Sequence, residues 1–276
     1  MKITGHTKIT GIFGYPIEHT LSPVMHNAAF ENLGLDYCYV PFLVLPDDLP
    51  YAVKSIRALN LRGVNITIPH KEKVMPLLDE IKEEASIIGA VNTIVNTNGK
   101  LTGYNTDGIG FIQSLTEKNI SLEGKDILII GAGGAARAIG YYISQKAKSL
   151  AISGRTQYKV ENLVKDLNRF NKNKNVISLE DVTDIKKYHM IINTTPLGLK
   201  GNDPLPLDIG LLRKDQIVYD LIYKKTPLIQ KATEKGCLTL DGSEMLIWQG
   251  ALSFEIWTGK KPDIAVMRSS LLAAIR

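Results

Sequence analysis

Asp126-Ile127-Leu128-Ile129-Ile130-Gly131-Ala132-Gly133-Gly134-Ala135-Ala136 is the stretch whose reading decides the fold of this chain. Residues 126–130 form a short run that is wholly apolar after Asp126, the pattern of a strand buried on both faces of a parallel sheet, and a helical pattern starts near residue 135. The glycines between them satisfy G-x-G-x-x-G/A in the context that gives this motif its meaning. Gly131 permits the tight turn, Gly133 lets a pyrophosphate approach the backbone, and Ala136 allows close helix packing. The helix that follows offers free N–H groups and the positive end of its dipole to phosphates. Gly131, Ala132, Gly133, Gly134 and Ala135 are therefore the expected pyrophosphate cradle.

Downstream, residues 149–153, 190–193, 217–220 and 238–240 read as further strands, separated by helical or loop stretches that include a polar run at 168–175. Residues 107–240 are thus expected to build a Rossmann-like, doubly wound parallel sheet. An NAD site usually places an Asp or Glu about 20 residues after the first glycine, to bind the ribose 2′-hydroxyl. This chain has none there. The second strand runs out through Ile152-Ser153-Gly154-Arg155-Thr156, and Lys159 lies one helical turn past Arg155. Arg155, Thr156 and Lys159 are read as the 2′-phosphate end of an NADP site.

Working toward the N-terminus, β-rich runs at 9–13, 37–42 and 63–68 alternate with helical patterns at 23–33 and 47–59, a βαβαβ order. Ser22 before Pro23, and Pro46-Asp47-Asp48, are read as helix-opening caps. A helix at 78–88, β-like segments at 92–96 and 101–103 joined by the Asn98-Gly99 turn, and a helix at 108–118 follow. Beyond Gly242, helices at 245–257 and 264–275 have no further strand and are expected to return to the first unit. The fold class is a two-domain α/β protein: 1–106 with 241–276 in one domain, 107–240 in the other.

Length and composition agree with this division. The chain has 276 residues, 44% hydrophobic and 22% charged, enough for two soluble domains of ~100 to 150 residues. A formal charge of +5 suits an anionic ligand, but the 33 basic residues are scattered, so no nucleic-acid partner is expected. The opening residues lack the apolar stretch of a signal peptide. The most apolar region, 127–143, is broken by glycines and Arg137, so no membrane partner is expected either. Cys38 and Cys237, far apart and without C-x-x-C spacing, argue against a disulfide framework and for the cytoplasm. His6, His19, His26, His70 and His189 show no ligand spacing, and no metal is expected. A small-molecule substrate and a monomer or homodimer remain.

Asn65 and Thr67 lie two apart on a strand pattern whose alternate positions are apolar, so they share a face. Lys71 follows Pro69-His70, where that strand ends and the cleft of a parallel sheet opens. Asp107 directly precedes a helix. Taken singly, these read as a half-exposed strand, a solvated lysine and an N-cap.

Their ordered combination is similar to the shikimate dehydrogenase family over nearly the whole chain. The likeness runs through Phe13-Gly14-Tyr15-Pro16-Ile17-Glu18-His19-Thr20-Leu21-Ser22-Pro23, Gly63-Val64-Asn65-Ile66-Thr67-Ile68-Pro69-His70-Lys71, Gly89-Ala90-Val91-Asn92-Thr93 and Asn105-Thr106-Asp107-Gly108. It continues through the glycine loop to Arg137, then Asn193-Thr194-Thr195-Pro196-Leu197-Gly198, Tyr219-Asp220-Leu221-Ile222-Tyr223 and Gln249-Gly250. The resemblance implies a substrate domain interrupted by an inserted dinucleotide domain. It also implies NADPH-dependent, reversible reduction of 3-dehydroshikimate to shikimate in aromatic amino-acid biosynthesis. Carried over by position, Thr20, Ser22, Asn65, Thr67, Asn92, Tyr223 and Gln249 contact the substrate, with Thr20, Ser22 and Tyr223 toward its carboxylate. Lys71 and Asp107 are the acid/base pair. The rival readings are a quinate/shikimate dehydrogenase using NAD, and a non-catalytic NADP-binding sensor.

Overall fold

The strands and helices of the first unit follow from short runs separated by turn residues. They are β1 (Lys8–Gly14), α1 (Ser22–Asn32), β2 (Tyr37–Leu43), α2 (Leu49–Ala58), β3 (Gly63–Ile66), β4 (Glu80–Ile81), α3 (Glu83–Ile88), β5 (Thr93–Thr97) and β6 (Lys100–Tyr104), then α4 (Asp107–Glu117). The late helices α8 (Ser243–Thr258) and α9 (Ile264–Ile275) supply the remainder. The computed structural model describes residues 2–171, 174–182, 184–200 and 202–275. Residues 172 and 173 of the polar run, and residues 1 and 276 at the two ends of the first domain, lie outside these.

The sheet runs β2-β1-β3-β5-β6-β4. β1 is parallel to β2 and β3, whereas β3, β5 and β6 are antiparallel neighbours. Residues 78–88, expected as one helix, divide into β4 and α3, because Glu80 and Ile81 pair with Thr102 and Gly103 of β6. The strand expected at 63–68 stops at Ile66. Ser22 is not a cap: it lies inside α1, after Leu21. Asp48 precedes α2 without a side-chain bond, since 46–48 already form a 3-10 turn and Asp48 has helical backbone angles.

One core of this unit joins α1, β2, α8 and α9 around Met25, Phe30, Tyr39, Phe254, Trp257 and Leu271. Trp257 Nε1 anchors α8 to the sheet by donating to Ile94 O at 3.0 Å. His26 is stacked on Tyr39, with ring centroids 4.4 Å apart and planes at 7°. Neither of its ring nitrogens has a hydrogen-bond partner. Burial therefore favours the neutral imidazole and pushes its pKa down to about 3. The ordinary value lies near 6.5. The unfolded chain takes up the proton first, so the stability held by neutral His26 is complete above about pH 6.5 and is lost on acidification, by about 2 kcal/mol at pH 5. In urea unfolding at pH 7.5 and pH 5, His26→Phe should lose less stability than wild type by that amount. Equal losses would rule out His26 as the source.

The second unit grows from the apolar run. Its elements are β7 (Asp126–Ile130), α5 (Gly134–Lys146), β8 (Ser149–Ser153), α6 (Gln157–Phe170), β9 (Val176–Leu179), β10 (Met190–Asn193), β11 (Ile217–Asp220), α7 (Pro227–Glu234) and β12 (Leu238–Leu240). The sheet order is β12-β11-β10-β7-β8-β9, and every pair is parallel. This is the doubly wound order, whose direction reverses beside β7. Ile127, Leu128 and Ile129 are fully buried because helices cover both sheet faces. The units divide as Met1–Gly110 with Leu246–Arg276, and Phe111–Met245, the cuts falling inside α4 and α8. Among the described residues, no helix is long and apolar enough to cross a membrane.

Candidate active site

Sheet register assembles the chemical residues of the first unit. Asn65 stands opposite Thr93, and Thr93 opposite Tyr104, so the end of β3, the start of β5 and the end of β6 meet at one edge. Backbone bonds pin the segments together. Ile66 N–H donates to Asn92 O at 2.8 Å, Asn92 N–H to Tyr104 O at 3.0 Å, and Val91 N–H to Lys71 O at 2.8 Å. Asn105 closes the turn into α4, its Nδ2 donating to Ala90 O and its Oδ1 accepting from Asp107 N–H.

Lys71 Nζ donates to Asp107 Oδ2 at 2.6 Å, with the two side chains only 15% and 6% exposed. A pair this far from water persists only when its other valences are met. Here Asp107 Oδ1 accepts from Asn92 Nδ2 at 2.9 Å, so each carboxylate oxygen holds a donor. Asp107 is the first residue of α4, and its carboxylate serves Lys71 and Asn92. Asn92 is the hub of this edge. Its Nδ2 also reaches Thr106 Oγ1 at 2.8 Å and Gln249 Oε1 at 3.3 Å, while its Oδ1 accepts from Thr106 N–H and Thr93 Oγ1.

Asn65 joins the same network through Nδ2, which lies 3.0 to 3.1 Å from Asn92 O, Thr93 Oγ1 and Ser253 Oγ. Gln249 and Ser253 sit one turn apart on α8 and are both buried. Ser22 is buried in α1, and its N–H donates to Oγ1 of the half-buried Thr20 at 3.4 Å. Thr67 lies just beyond β3, not on it as alternation suggested. Its N–H donates to Phe13 O, and its methyl packs so closely on Gly14 that a Cβ there would stand 2.4 Å away. Tyr223, half-buried past the end of β11, belongs to the second unit. Sequence reading missed Tyr39, Thr93, Thr106 and Ser253. Ser253 was within reach, four residues after Gln249 and hence on the same helical face; Tyr39 carried no local signal.

In the second unit the glycine turn follows β7 at the reversal of strand order. Gly131 has φ +117°, and a Cβ on it would meet Thr194 Oγ1 at 2.2 Å, so the tight turn requires glycine twice over. Space is open around the position a Cβ would take on Gly133, and Ala136 is fully buried against the sheet. These are the features that a pyrophosphate lying across the N-terminus of α5 needs. Thr194 Oγ1 donates to Ile130 O at 2.8 Å and holds the loop after β10 beside the turn. Asp220, buried at the end of β11, accepts from Asn193 Nδ2, Ile222 N–H and Thr226 Oγ1, and burial raises its pKa. Arg155 and Lys159 are exposed at the end of β8 and in the first turn of α6. Arg155 precedes the helix, so it does not share a helical face with Lys159; the α6 N-terminus lies between them in sequence.

A parallel sheet wound in this order, carrying a glycine turn where the winding reverses, defines a dinucleotide-binding α/β protein. Similarity to known proteins narrows the class. Residues 12–94 match the shikimate dehydrogenase substrate binding domain, 114–197 the shikimate / quinate 5-dehydrogenase family, and 242–272 the shikimate 5′-dehydrogenase C-terminal domain. The shikimate dehydrogenase (NADP(+)) of Carboxydothermus hydrogenoformans is 46% identical, over 98% of this chain and 99% of that protein. A crystal structure of a shikimate dehydrogenase in complex with NADP+ superimposes with a TM-score of 0.92 at 41% identity, covering 100% of this chain and 98% of that one. The Listeria monocytogenes shikimate 5-dehydrogenase, in complex with shikimate and NAD, gives 0.86 at 37% identity, with 98% of each chain covered. The chain belongs to the shikimate dehydrogenase family.

Proposed function

We propose that this protein is an NADP-dependent shikimate dehydrogenase, reducing 3-dehydroshikimate reversibly to shikimate on the route to the aromatic amino acids. The observation that carries the chemistry is the buried Lys71–Asp107 pair, 2.6 Å long and set among amides and hydroxyls. Residues 1–106 with 241–276 hold the substrate, and 107–240 hold the cofactor. NADPH, when bound, supplies the hydride. Gly131, Ala132, Gly133, Gly134 and Ala135 would hold its pyrophosphate, and Arg155, Thr156 and Lys159 its 2′-phosphate, helped by the N-terminus of α6.

Reduction of the ketone also needs one proton at its oxygen. Lys71, oriented by its bond to Asp107, gives that proton as the alkoxide develops. In the reverse direction the same amine takes it back. Asp107 orients Lys71 through Oδ2, and its remaining lone pairs accept from a substrate hydroxyl. Asn92, Asn65 and Gln249 offer amides to the ring hydroxyls. Thr20, Ser22 and Tyr223 serve the carboxylate, and Thr67 closes the end of β3. Cys38 and Cys237, buried free thiols, suit a reducing cytoplasm.

The test is direct: NADPH and NADH oxidation with 3-dehydroshikimate, then NADP and NAD reduction with shikimate and with quinate. Turnover should be fastest with NADPH and 3-dehydroshikimate, and with NADP and shikimate. A preference for quinate and NAD would favour the rival enzyme, and no turnover with any pair would favour the sensor.

A further inference from the structure

Asn65 is 5% exposed, yet it must keep one valence for substrate if it is a binding residue. Its hydrogen bonds reveal which. Asn92 O, a backbone carbonyl, can only accept, so the atom of Asn65 that lies 3.1 Å from it must be the amide nitrogen. The two hydrogens on Nδ2 are then consumed by Asn92 O and by the Thr93 and Ser253 hydroxyls. Oδ1 is left on the other side, where the phenol of Tyr39 donates to it at 2.8 Å. One lone pair of Oδ1 remains.

We infer that Tyr39 is a positioning residue for substrate: its phenol fixes the Asn65 amide so that Asn65 meets the ring only as an acceptor, selecting a hydroxyl donor at that place. Three features equip Tyr39 for this. It is buried at 1% exposure. Its ring stacks on the His26 face at 4.4 Å and meets Trp257 at 5.9 Å, the three rings forming one packed cluster that restrains the hydroxyl. The Ser22 hydroxyl lies against the same phenol, so one buried group touches two residues assigned to substrate contact. Desolvation holds the phenol protonated, and hence a donor. Tyr39 is not joined to Asp107 or Lys71 by a direct bond, so its removal should disturb binding and spare the proton transfer.

This inference rests on the reading of Asn65 as a substrate contact, and the experiment separates the two. Steady-state kinetics with shikimate and NADP would be measured for Tyr39→Phe, Asn65→Ala and the double variant. Phenylalanine keeps the stack on His26 and removes only the donor. Tyr39→Phe should raise the KM for shikimate about tenfold, the scale of a buried acceptor left without its donor, with kcat within about threefold of wild type. In the Asn65→Ala background the same change should have no further effect, because the residue through which it acts is gone. If Asn65→Ala raises KM and Tyr39→Phe leaves it within twofold, or if the two effects multiply, the role of Tyr39 is overturned while that of Asn65 stands. If neither variant moves KM, Asn65 is not a contact and both readings fail. Should Tyr39→Phe not fold, 4-fluorophenylalanine in place of Tyr39 fills the hydroxyl volume without a donor and must show the same rise. 4-Aminophenylalanine, which keeps a donor at the ring tip, must restore the wild-type KM.

Discussion

Lys71→Ala is expected to lower kcat by about 10² to 10⁴, the range of general acid–base catalysis, with a much smaller change in the KM for 3-dehydroshikimate. That loss corresponds to about 3 to 5 kcal/mol of transition-state stabilisation. The geometry explains why the loss should fall on kcat. Lys71 is held by Asp107 at the edge where β3 ends, whereas the hub that gathers the polar groups is Asn92, whose bonds to Thr93, Thr106 and Gln249 do not pass through the lysine. Removing the ammonium also leaves Asp107 buried with one donor fewer, so thermal unfolding belongs beside the kinetics. A folded Lys71→Ala enzyme within threefold of the wild-type kcat would refute the role. Asp107→Asn is no gentle alternative: both carboxylate oxygens face donors, so the new amide nitrogen would oppose either Lys71 Nζ or Asn92 Nδ2.

Arg155→Asp should reverse the choice of dinucleotide. Losing a charge-assisted bond to a phosphate costs about 1.5 to 3 kcal/mol, and a carboxylate in its place adds repulsion. The KM for NADP should therefore rise on the order of 10²-fold, while NAD gains a partner for its 2′-hydroxyl. Arg155 is exposed and stands before α6 begins, so the fold should tolerate the change within about 0.5 kcal/mol. The measurement is kcat/KM for both cofactors with shikimate. Unchanged selectivity would remove Arg155 from the cofactor site.

The second sheet was the more legible half of the sequence, and the reason lies in its burial. Residues 126–130, 149–153, 190–193 and 217–220 coincide with observed strands because parallel strands covered on both faces are largely apolar; 238–240 coincides with a strand as well, although β12 is an edge strand with Leu238 exposed. β9, Val176–Leu179, escaped because it is an edge strand with Ile177 and Ser178 exposed, so its composition reads as loop. β4 escaped because its two residues are held by pairing to β6, not by any pattern of their own. The caps failed for a local reason: Ser22 and Asp48 are of the right type but already lie in helical turns.

The candidate site shows the same divide. Lys71, Asn92 and Asp107 were found by the motifs around them, and they meet in space. The contact of Asn65 with Ser253 spans 188 positions, a distance at which no periodicity speaks. Nor did alternation reveal that Thr67 lies past the end of its strand.

The winding reversal beside β7 has a consequence for descent. In the proposed site the turn at 131–136 would hold the pyrophosphate shared by both dinucleotides, and its shape is enforced by the packing of Gly131 on Thr194. The groups that would tell one dinucleotide from the other stand instead after β8, where Arg155 and Lys159 are exposed. A lineage can therefore exchange its electron carrier by a few surface substitutions after β8, while the turn, the sheet and the Lys71–Asp107 pair are inherited unchanged.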